Sequence, residues 1–142
     1  MAEWSANAVQ TVSPNAPVIF TDNPVPPVTD LVRHRDETGA FLLRGYDSCP
    51  RRRSSRYHVI FNANIAVPTG GTIGPISIAA TIDGSVIPAT TAIVTPAAVD
   101  EFFNVCINFD ALIWNGCCES VSIINTSSGD ILVQNANIEF NR

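Results

Sequence analysis

The segment from Tyr57 to Val67 is the feature that most constrains the fold. Apolar side chains occupy every second position of this segment, and mostly polar side chains stand between them. Successive side chains of a strand point to opposite faces, so this period of two predicts a strand with one buried face. The pattern recurs in Ile76–Ile82 and in Phe103–Phe109. Short strands separated by polar turns at spacings of about 8–12 residues predict an antiparallel sandwich or barrel, and no segment shows a convincing amphipathic helix.

Several pairings follow from the turn residues. Leu31–Arg35 and Ala40–Tyr46 flank a polar turn that ends in Gly39, which predicts a hairpin. Asp83-Gly84 predicts a second tight turn. Pro88 interrupts the returning segment, which indicates an edge position or a bulge. We also expect Val121–Asn125 to pair with Ile131–Phe140 across the turn at 126–130.

Residues 1–30 are predicted to form an extended proline-rich N-terminal arm, and residues 31–142 a β-sandwich. Prolines fix φ and remove backbone donors, so the arm is expected to lie outside the sheet core and along another surface. Val18–Asp22 could form a short edge strand, because Val18, Ile19 and Phe20 are too apolar to be left in water. For residues 1–12 a disordered tail is an equal alternative. The arm's prolines are Pro14, Pro17, Pro24, Pro26 and Pro27.

The charge distribution is unusual. Between Tyr57 and Asn141 there are seven carboxylates and no lysine or arginine, and charged residues make up 15% of the chain against roughly 25% in average domains. Soluble monomers usually intersperse both signs over their surface. The composition therefore favours a chain that hides surface against copies of itself or against a larger assembly. The net charge of −5 argues against nucleic acid as a general partner.

Neither a secretory leader nor a membrane span is expected. The first ten residues have no basic region followed by an apolar one, and Pro, Gly, Asn and Asp interrupt every apolar stretch before it reaches bilayer length. Synthesis in a cytoplasm would keep the thiols reduced. Cys106 is expected on a strand inside the sandwich, and none of Cys49, Cys106, Cys117 and Cys118 is expected to bind metal.

No catalytic or cofactor site is predicted. His34 and His58 occupy ordinary strand positions, and the adjacent Asp100-Glu101 would point to opposite faces of a strand. Gly70-Gly71 lacks the following Lys-Ser/Thr and helix that a phosphate loop needs. The protein is therefore expected not to be an enzyme.

A run of arginines is the one feature that indicates a partner. Arg51, Arg52, Arg53 and Arg56 are predicted to dock on carboxylates of a neighbouring protein, because guanidinium groups bind carboxylates in a bidentate geometry. Contact with phosphate or nucleic acid and a merely solvated loop remain alternatives. The last strand also carries polar residues, which either form side-chain ladders between subunits or simply face solvent on the outside of the sandwich. They are Gln134, Asn135, Asn137 and Asn141.

The run RYHVIFNANIAVPTGGTIGPISIAATIDGSVI, with the terminal VSIINTSSGDILVQNANIEFNR, resembles the jelly-roll domains of the tumour necrosis factor and complement globular-head superfamily. It is most similar to their bacterial and bacteriophage members. The resemblance covers roughly residues 56–142, and it departs at Asn115-Gly116, where Cys117-Cys118-Glu119 replaces the usual acidic residue. It implies an all-β antiparallel jelly-roll sandwich and a homotrimer whose final strands lie near the three-fold axis.

The expected function is a non-enzymatic structural protein of a bacteriophage or prophage particle, a trimeric capsid decoration or head-fibre protein. It would be made in the host bacterial cytoplasm and reside in the virion, with the major capsid protein or another virion protein as its partner. The arm and arginine loop would attach it, so deletion of residues 1–16 should abolish attachment without unfolding the trimer. The alternative is a carbohydrate- or receptor-binding module at a fibre tip, for which Trp114 is the aromatic residue expected at a loop.

Overall fold

The computed structural model describes residues 1–45, 54–114 and 118–142, which form two antiparallel sheets packed face to face. This confirms the predicted all-β antiparallel sandwich, and the described part of the chain contains no α-helix. The strands are β1 (Ala2–Ala6), β2 (Gln10–Val12), β3 (Asp22–Val25), β4 (Val32–His34), β5 (Phe41–Arg44), β6 (Ser54–Ala66), β7 (Ile76–Ile82), β8 (Ser85–Val86), β9 (Ala92–Val94), β10 (Phe103–Trp114), β11 (Cys118–Asn125) and β12 (Ile131–Asn141).

We call the two layers sheet A and sheet B. Sheet A has the strand order β10-β6-β12-β1-β3, and β2 pairs with the first part of β12. Sheet B has the order β4-β5-β11-β7-β8, and β9 pairs with the other end of β7. The apolar faces of the two sheets enclose one core.

The strand predicted from the alternation is β6, and it lies near the middle of sheet A. Its alternate residues from Tyr57 to Ile65 are buried, while the residues between them are exposed or half-buried. β10 and β12 flank it over most of its length. The alternation of apolar residues therefore correctly predicted both the strand and its buried face.

Two predicted turns are confirmed. β4 and β5 form an antiparallel hairpin around the turn that ends in Gly39. Asp83 and Gly84 have φ values of 48° and 80° and connect β7 to β8, as expected for a two-residue turn in which both central residues are left-handed. Pro88 opens a 3-10 turn, Pro88–Thr90, between the edge strands β8 and β9.

The expected hairpin between β11 and β12 does not form. β11 lies between β5 and β7 in sheet B, so both of its edges are already paired. β12 lies between β6 and β1 in sheet A. The turn at 126–130 therefore crosses from one sheet to the other, and the local sequence carries no signal for this choice of partner.

Residues 1–30 are extended, but the expectation that they lie outside the sheet core is wrong. β1 pairs along its length with β12, and Trp4 is only 3% exposed. Val18 and Phe20 are fully buried. The prolines lie outside β1, so they leave this strand free to join the sheet; Pro24, in β3, lies at the edge of sheet A, where its missing donor is tolerated.

Trp4 is the centre of an aromatic cluster that joins the two sheets. Its ring meets Phe41 of sheet B edge-on at a centroid distance of 5.0 Å and Phe140 of sheet A at 5.9 Å. Phe20 contacts Phe41 at 5.3 Å, and the ring of His34 stacks on Phe41 at 4.2 Å. Edge-on aromatic pairs contribute about 0.5–1.5 kcal/mol beyond the burial of their area. The N-terminal segment is therefore part of the folding unit, and the expectation that residues 1–16 can be deleted without unfolding the protein is wrong.

Replacing Trp4 with Ala is expected to lower the free energy of unfolding by about 3–5 kcal/mol, since it leaves a cavity between the sheets. Val28, which is 95% exposed, offers a matched control within the same segment. Val28→Ala should change the free energy of unfolding by less than about 0.5 kcal/mol. Urea denaturation followed by circular dichroism measures both, and equal stabilities for Trp4→Ala and the parent protein would contradict this assignment.

Candidate interaction surface

The outer face of sheet A carries a concentration of amide side chains. Outward positions of the three adjacent strands β6, β10 and β12 alternate with the buried ones. We call this surface the amide face; its amides are Asn62, Asn64, Asn104, Asn108, Gln134, Asn137 and Asn141.

The strand register arranges these amides in rows across the sheet. Asn64 lies opposite both Asn104 and Gln134, and Asn62 lies opposite Asn137. Asn104 donates from Nδ2 to Asn64 Oδ1 at 3.1 Å. Each amide has donors and an acceptor, so such rows can bind similar rows on another molecule. Asn135, by contrast, has a φ of 51° at a bulge in β12, where the register shifts between Gln134 and Asn137.

Charges on the amide face are few, and most have partners. His58 Nδ1 lies 2.8 Å from Asp110 Oδ1 on the neighbouring strand. Glu3 and Glu139 lie directly opposite each other on β1 and β12. Asn137 donates a hydrogen bond to Glu3, and Asn141 donates one to Glu139. The facing carboxylates are thus held by amides.

β10 forms one edge of the amide face. It pairs with β6 on one side and with no other strand of the described chain. Natural edge strands are usually short or protected by lysine and proline, whereas β10 has twelve residues, neither of these residue types, and one charge, Asp110. Leu112 and Trp114 point outward from it and are 45% and 56% exposed.

The predicted arginine site falls partly outside the described residues. Arg51, Arg52 and Arg53 lie in the segment 46–53, so their prediction stands untested. Arg56 is exposed on β6, where it lies opposite Leu112 of β10. Arg142 donates from Nη2 to Ser55 Oγ at 3.2 Å. We call this region the basic end of the sandwich.

Tyr57 ties the basic end to the core. Its hydroxyl donates to the carbonyl oxygen of Arg44, the last residue of β5, at 2.5 Å. Burial raises the pKa of the Tyr57 phenol; the nearby charge of Arg142 and the hydrogen bond to Arg44 oppose that rise in part. The neutral phenol is therefore the form that the folded protein prefers.

The prediction for Cys106 is half wrong. It lies on strand β10, as expected, but it is exposed on the amide face. Val105 and Ile107 occupy the buried positions on either side, so the period of two itself places Cys106 outward. Cys118 is also exposed, and Cys49 and Cys117 lie outside the described residues.

The residues considered for chemistry do not converge. Asp100 accepts a hydrogen bond from Thr69 Oγ1 at 2.7 Å, and Glu101 caps the backbone amides of Ala97 and Ala98. His58 pairs with Asp110 of β10, which lies seven residues after Phe103, the first residue of that strand. His58 is therefore roughly 20 Å from Asp100 and Glu101, which precede β10. Within residues 1–45, 54–114 and 118–142, no group of three or more His, Cys, Asp or Glu could hold a metal.

Comparison with known proteins supports the fold. No family model and no curated protein matches this chain. The globular domain of zebrafish complement 1qA protein is similar in structure, with a TM-score of 0.53, 14% identity, and coverage of 97% of this chain and 94% of that one. This likeness agrees with the jelly-roll architecture implied by the resemblance to the complement and tumour necrosis factor superfamily.

Two further structures are more distant. The C-terminal domain of EclA, described as a sugar-binding protein, gives a TM-score of 0.43 at 15% identity, covering 94% of this chain and 80% of that one. A family 35 carbohydrate binding module from an environmental isolate gives 0.41 at 13% identity, covering 100% and 93%. At these scores neither likeness bears on function. No helix in the described residues is long and apolar enough to cross a membrane.

Sequence reasoning found part of the amide face. It identified the polar positions of β12, but it did not connect them with Asn62 and Asn64 of β6 or Asn104 and Asn108 of β10. The signal was present, because these asparagines alternate with apolar residues in both strands. What the sequence lacked was the order of the strands in the sheet.

Replacing Tyr57 with Phe is expected to cost about 1 kcal/mol at neutral pH, because the Arg44 carbonyl loses its donor. The pKa of Tyr57 is raised in the folded state, so folding favours the protonated phenol. The contribution of Tyr57 to the free energy of unfolding is therefore fully present below about pH 10, and it is lost as the pH rises through the folded-state pKa. The free energy of unfolding should therefore fall less steeply above about pH 10 in Tyr57→Phe than in the parent. Parallel slopes in alkaline urea titrations would refute this.

Proposed function

We propose that this protein is a non-enzymatic assembly protein, and specifically a trimeric capsid decoration or head-fibre protein of a bacteriophage particle. The observation that carries the proposal is the amide face. It combines a broad, regular strand surface with few charges, in a chain that is already depleted of charge.

Amide rows suit an interface between identical subunits. A buried polar group must find a hydrogen-bond partner, and burying charges carries a large desolvation penalty. Asparagine and glutamine supply donors and acceptors without that ionic penalty. The rows of β6, β10 and β12 can therefore be buried against another copy at low cost.

The edge of β10 supports the same reading. A long unpaired edge with exposed apolar side chains is prone to uncontrolled association. In an assembly, Leu112 and Trp114 would be covered together with that edge. Specific interfaces bury about 1,200–2,000 Å² in total, and we expect the trimer to exceed about 1,600 Å².

The basic end is proposed as the attachment surface for the major capsid protein or another virion protein. Arg56 is exposed there, and Arg51, Arg52 and Arg53 precede the same strand. Between Tyr57 and Asn141 the chain has no Lys or Arg, and the other arginines are Arg33, Arg35, Arg44 and Arg142. Acidic partners would thus meet the densest group of arginines at this end.

Sedimentation equilibrium is expected to give a trimer, and Asn62→Lys should dissociate it, because Asn62 lies in the central rows of the amide face. Ser85→Lys places the same charge on exposed β8 of sheet B and should leave the trimer intact. A stable monomer of the parent protein, or equal effects of the two lysines, would refute assembly through this face.

Thiol labelling offers an independent readout. In a variant that keeps Cys106 and replaces Cys49, Cys117 and Cys118 with Ser, maleimide should react slowly, because assembly would cover Cys106 on the amide face. Adding Asn62→Lys should restore rapid labelling. Rapid labelling of both proteins would show that Cys106 stays open to solvent and that the interface lies elsewhere.

Replacing Arg51, Arg52 and Arg53 with Ser is expected to weaken binding to the particle, and more at low than at high salt. Exposed charges are screened beyond about 8 Å at physiological ionic strength. A co-sedimentation assay with particles, run over a salt series, measures this. Arg33→Ser, which removes an exposed arginine of β4, is the control. Binding that is unchanged by the triple variant would place attachment elsewhere.

A second candidate is a carbohydrate- or receptor-binding module at a fibre tip. It is favoured by Trp114, because a solvent-facing indole offers a stacking surface, whereas Trp4 and Tyr57 are buried. Glycan arrays compared with particle-binding assays separate the two functions. Trp114→Ala should abolish glycan binding if the indole stacks on sugar, and it should leave glycan signals unchanged otherwise.

A further inference from the structure

An open cleft of about 540 Å³ lies at the end of the sandwich opposite the basic end. It is formed by Thr11 of β2, by the segment 67–76 that follows β6, and by the turn 127–130. β6 has thirteen residues, so the cleft is roughly 40 Å from the start of that strand. We propose that this cleft binds a neutral, hydroxyl-rich ligand, namely a saccharide.

One wall of the cleft is held in place before any ligand arrives. Thr69 Oγ1 donates to Asp100 Oδ2 at 2.7 Å, and the backbone amide of Asp100 donates to Val67 at 2.8 Å. The turn is closed by the Gly71 amide, which donates to Pro68 at 2.9 Å. Because this wall is already ordered, binding a ligand costs less conformational entropy.

Asn125 holds the other wall. It is fully buried, and its Nδ2 donates to the carbonyl oxygens of Val12 and Gly129, both at 2.9 Å. Its Oδ1 accepts from the Ser127 amide at 2.8 Å. Ser127 Oγ in turn accepts from the Ser77 amide at 2.7 Å. Asn125 therefore positions β2 and the turn relative to each other.

The groups that face the cleft opening remain available. Thr11, Thr72, Ser128 and Asp130 are exposed residues of the cleft lining, and within the described chain their side chains make no hydrogen bond. Three hydroxyls and one carboxylate thus stand ready as hydrogen-bonding groups. A carboxylate that accepts from ligand hydroxyls makes a stronger bond than a neutral acceptor does.

The remaining lining excludes other ligand classes. Among the lining residues Asp130 is the single titratable group, so anions such as phosphate find no positive partner. One carboxylate falls short of the several oxygen ligands that Ca²⁺ takes. The lining has no aromatic ring for stacking a flat base, but Val67, Pro68, Pro75 and Ile76 supply an aliphatic floor. A sugar matches the polar residues through its hydroxyls and the aliphatic residues through its C–H faces. The volume of the cleft also suits a small molecule, since small-molecule sites have volumes of about 300–1,000 Å³.

The test uses the full-length protein labelled with ¹⁵N and titrated with glucose, galactose, mannose, N-acetylglucosamine and maltose. We expect at least one of these sugars to shift the amide signals of Gly70, Gly71 and Gly129, with a Kd near about 1 mM. Asp130→Asn should weaken the binding of that sugar, raising its Kd about tenfold. Asp36→Asn, at an exposed carboxylate in the β4–β5 turn, should leave the affinity unchanged.

The proposal is overturned if none of the five sugars shifts the cleft amides. It is also overturned if the shifts cluster at Trp114, which would assign sugar binding to the basic end, or if Asp130→Asn and Asp36→Asn bind the sugar as the parent does. None of the residues that line the cleft is one of the amides of the amide face.

Discussion

The packing of Trp4 between the two sheets is the interaction on which the rest of the structure depends. Its ring joins Phe41 of sheet B to Phe140 of sheet A, and it brings the first strand against the last one. β12 thereby lies inside sheet A, and the sheet extends beyond it to β1 and β3. Without β1, β12 would have an open edge, and it is an outer strand of the three that carry the amide face.

The three surfaces for which we propose functions lie on different parts of the sandwich. The broad face of sheet A is proposed for assembly, the basic end for attachment, and the opposite end for a small ligand. β6 connects all three, because its outward side chains contribute to the amide face while its ends lead into the basic end and the cleft. A rigid central strand can hold three such surfaces apart, so that a change in one has little effect on the others.

The scarcity of charge has a structural counterpart. The strands that carry the amide face use asparagine where soluble sheets commonly carry lysine or glutamate. Glu3 and Glu139, two of the carboxylates at this surface, accept hydrogen bonds from the side-chain amides of Asn137 and Asn141. The composition alone predicted a hidden surface, and the strand order brings the amides together on the face that we propose for it. Cys106 shows the limit of such reasoning, because residue type favoured burial while the alternation of its own strand placed it outward.

The sequence by itself determined the strands, most of their buried faces and the local turns at Gly39 and at Asp83-Gly84. These features depend on alternation and on turn chemistry, which act between near neighbours in the chain. The tertiary structure alone decided that β12 pairs with β6 and β1, and that the N-terminal residues enter the core. It also decided where the cleft forms, because segments distant in sequence line it. Such pairings depend on which strand edges are left free once the whole sandwich has packed, and no local pattern records that.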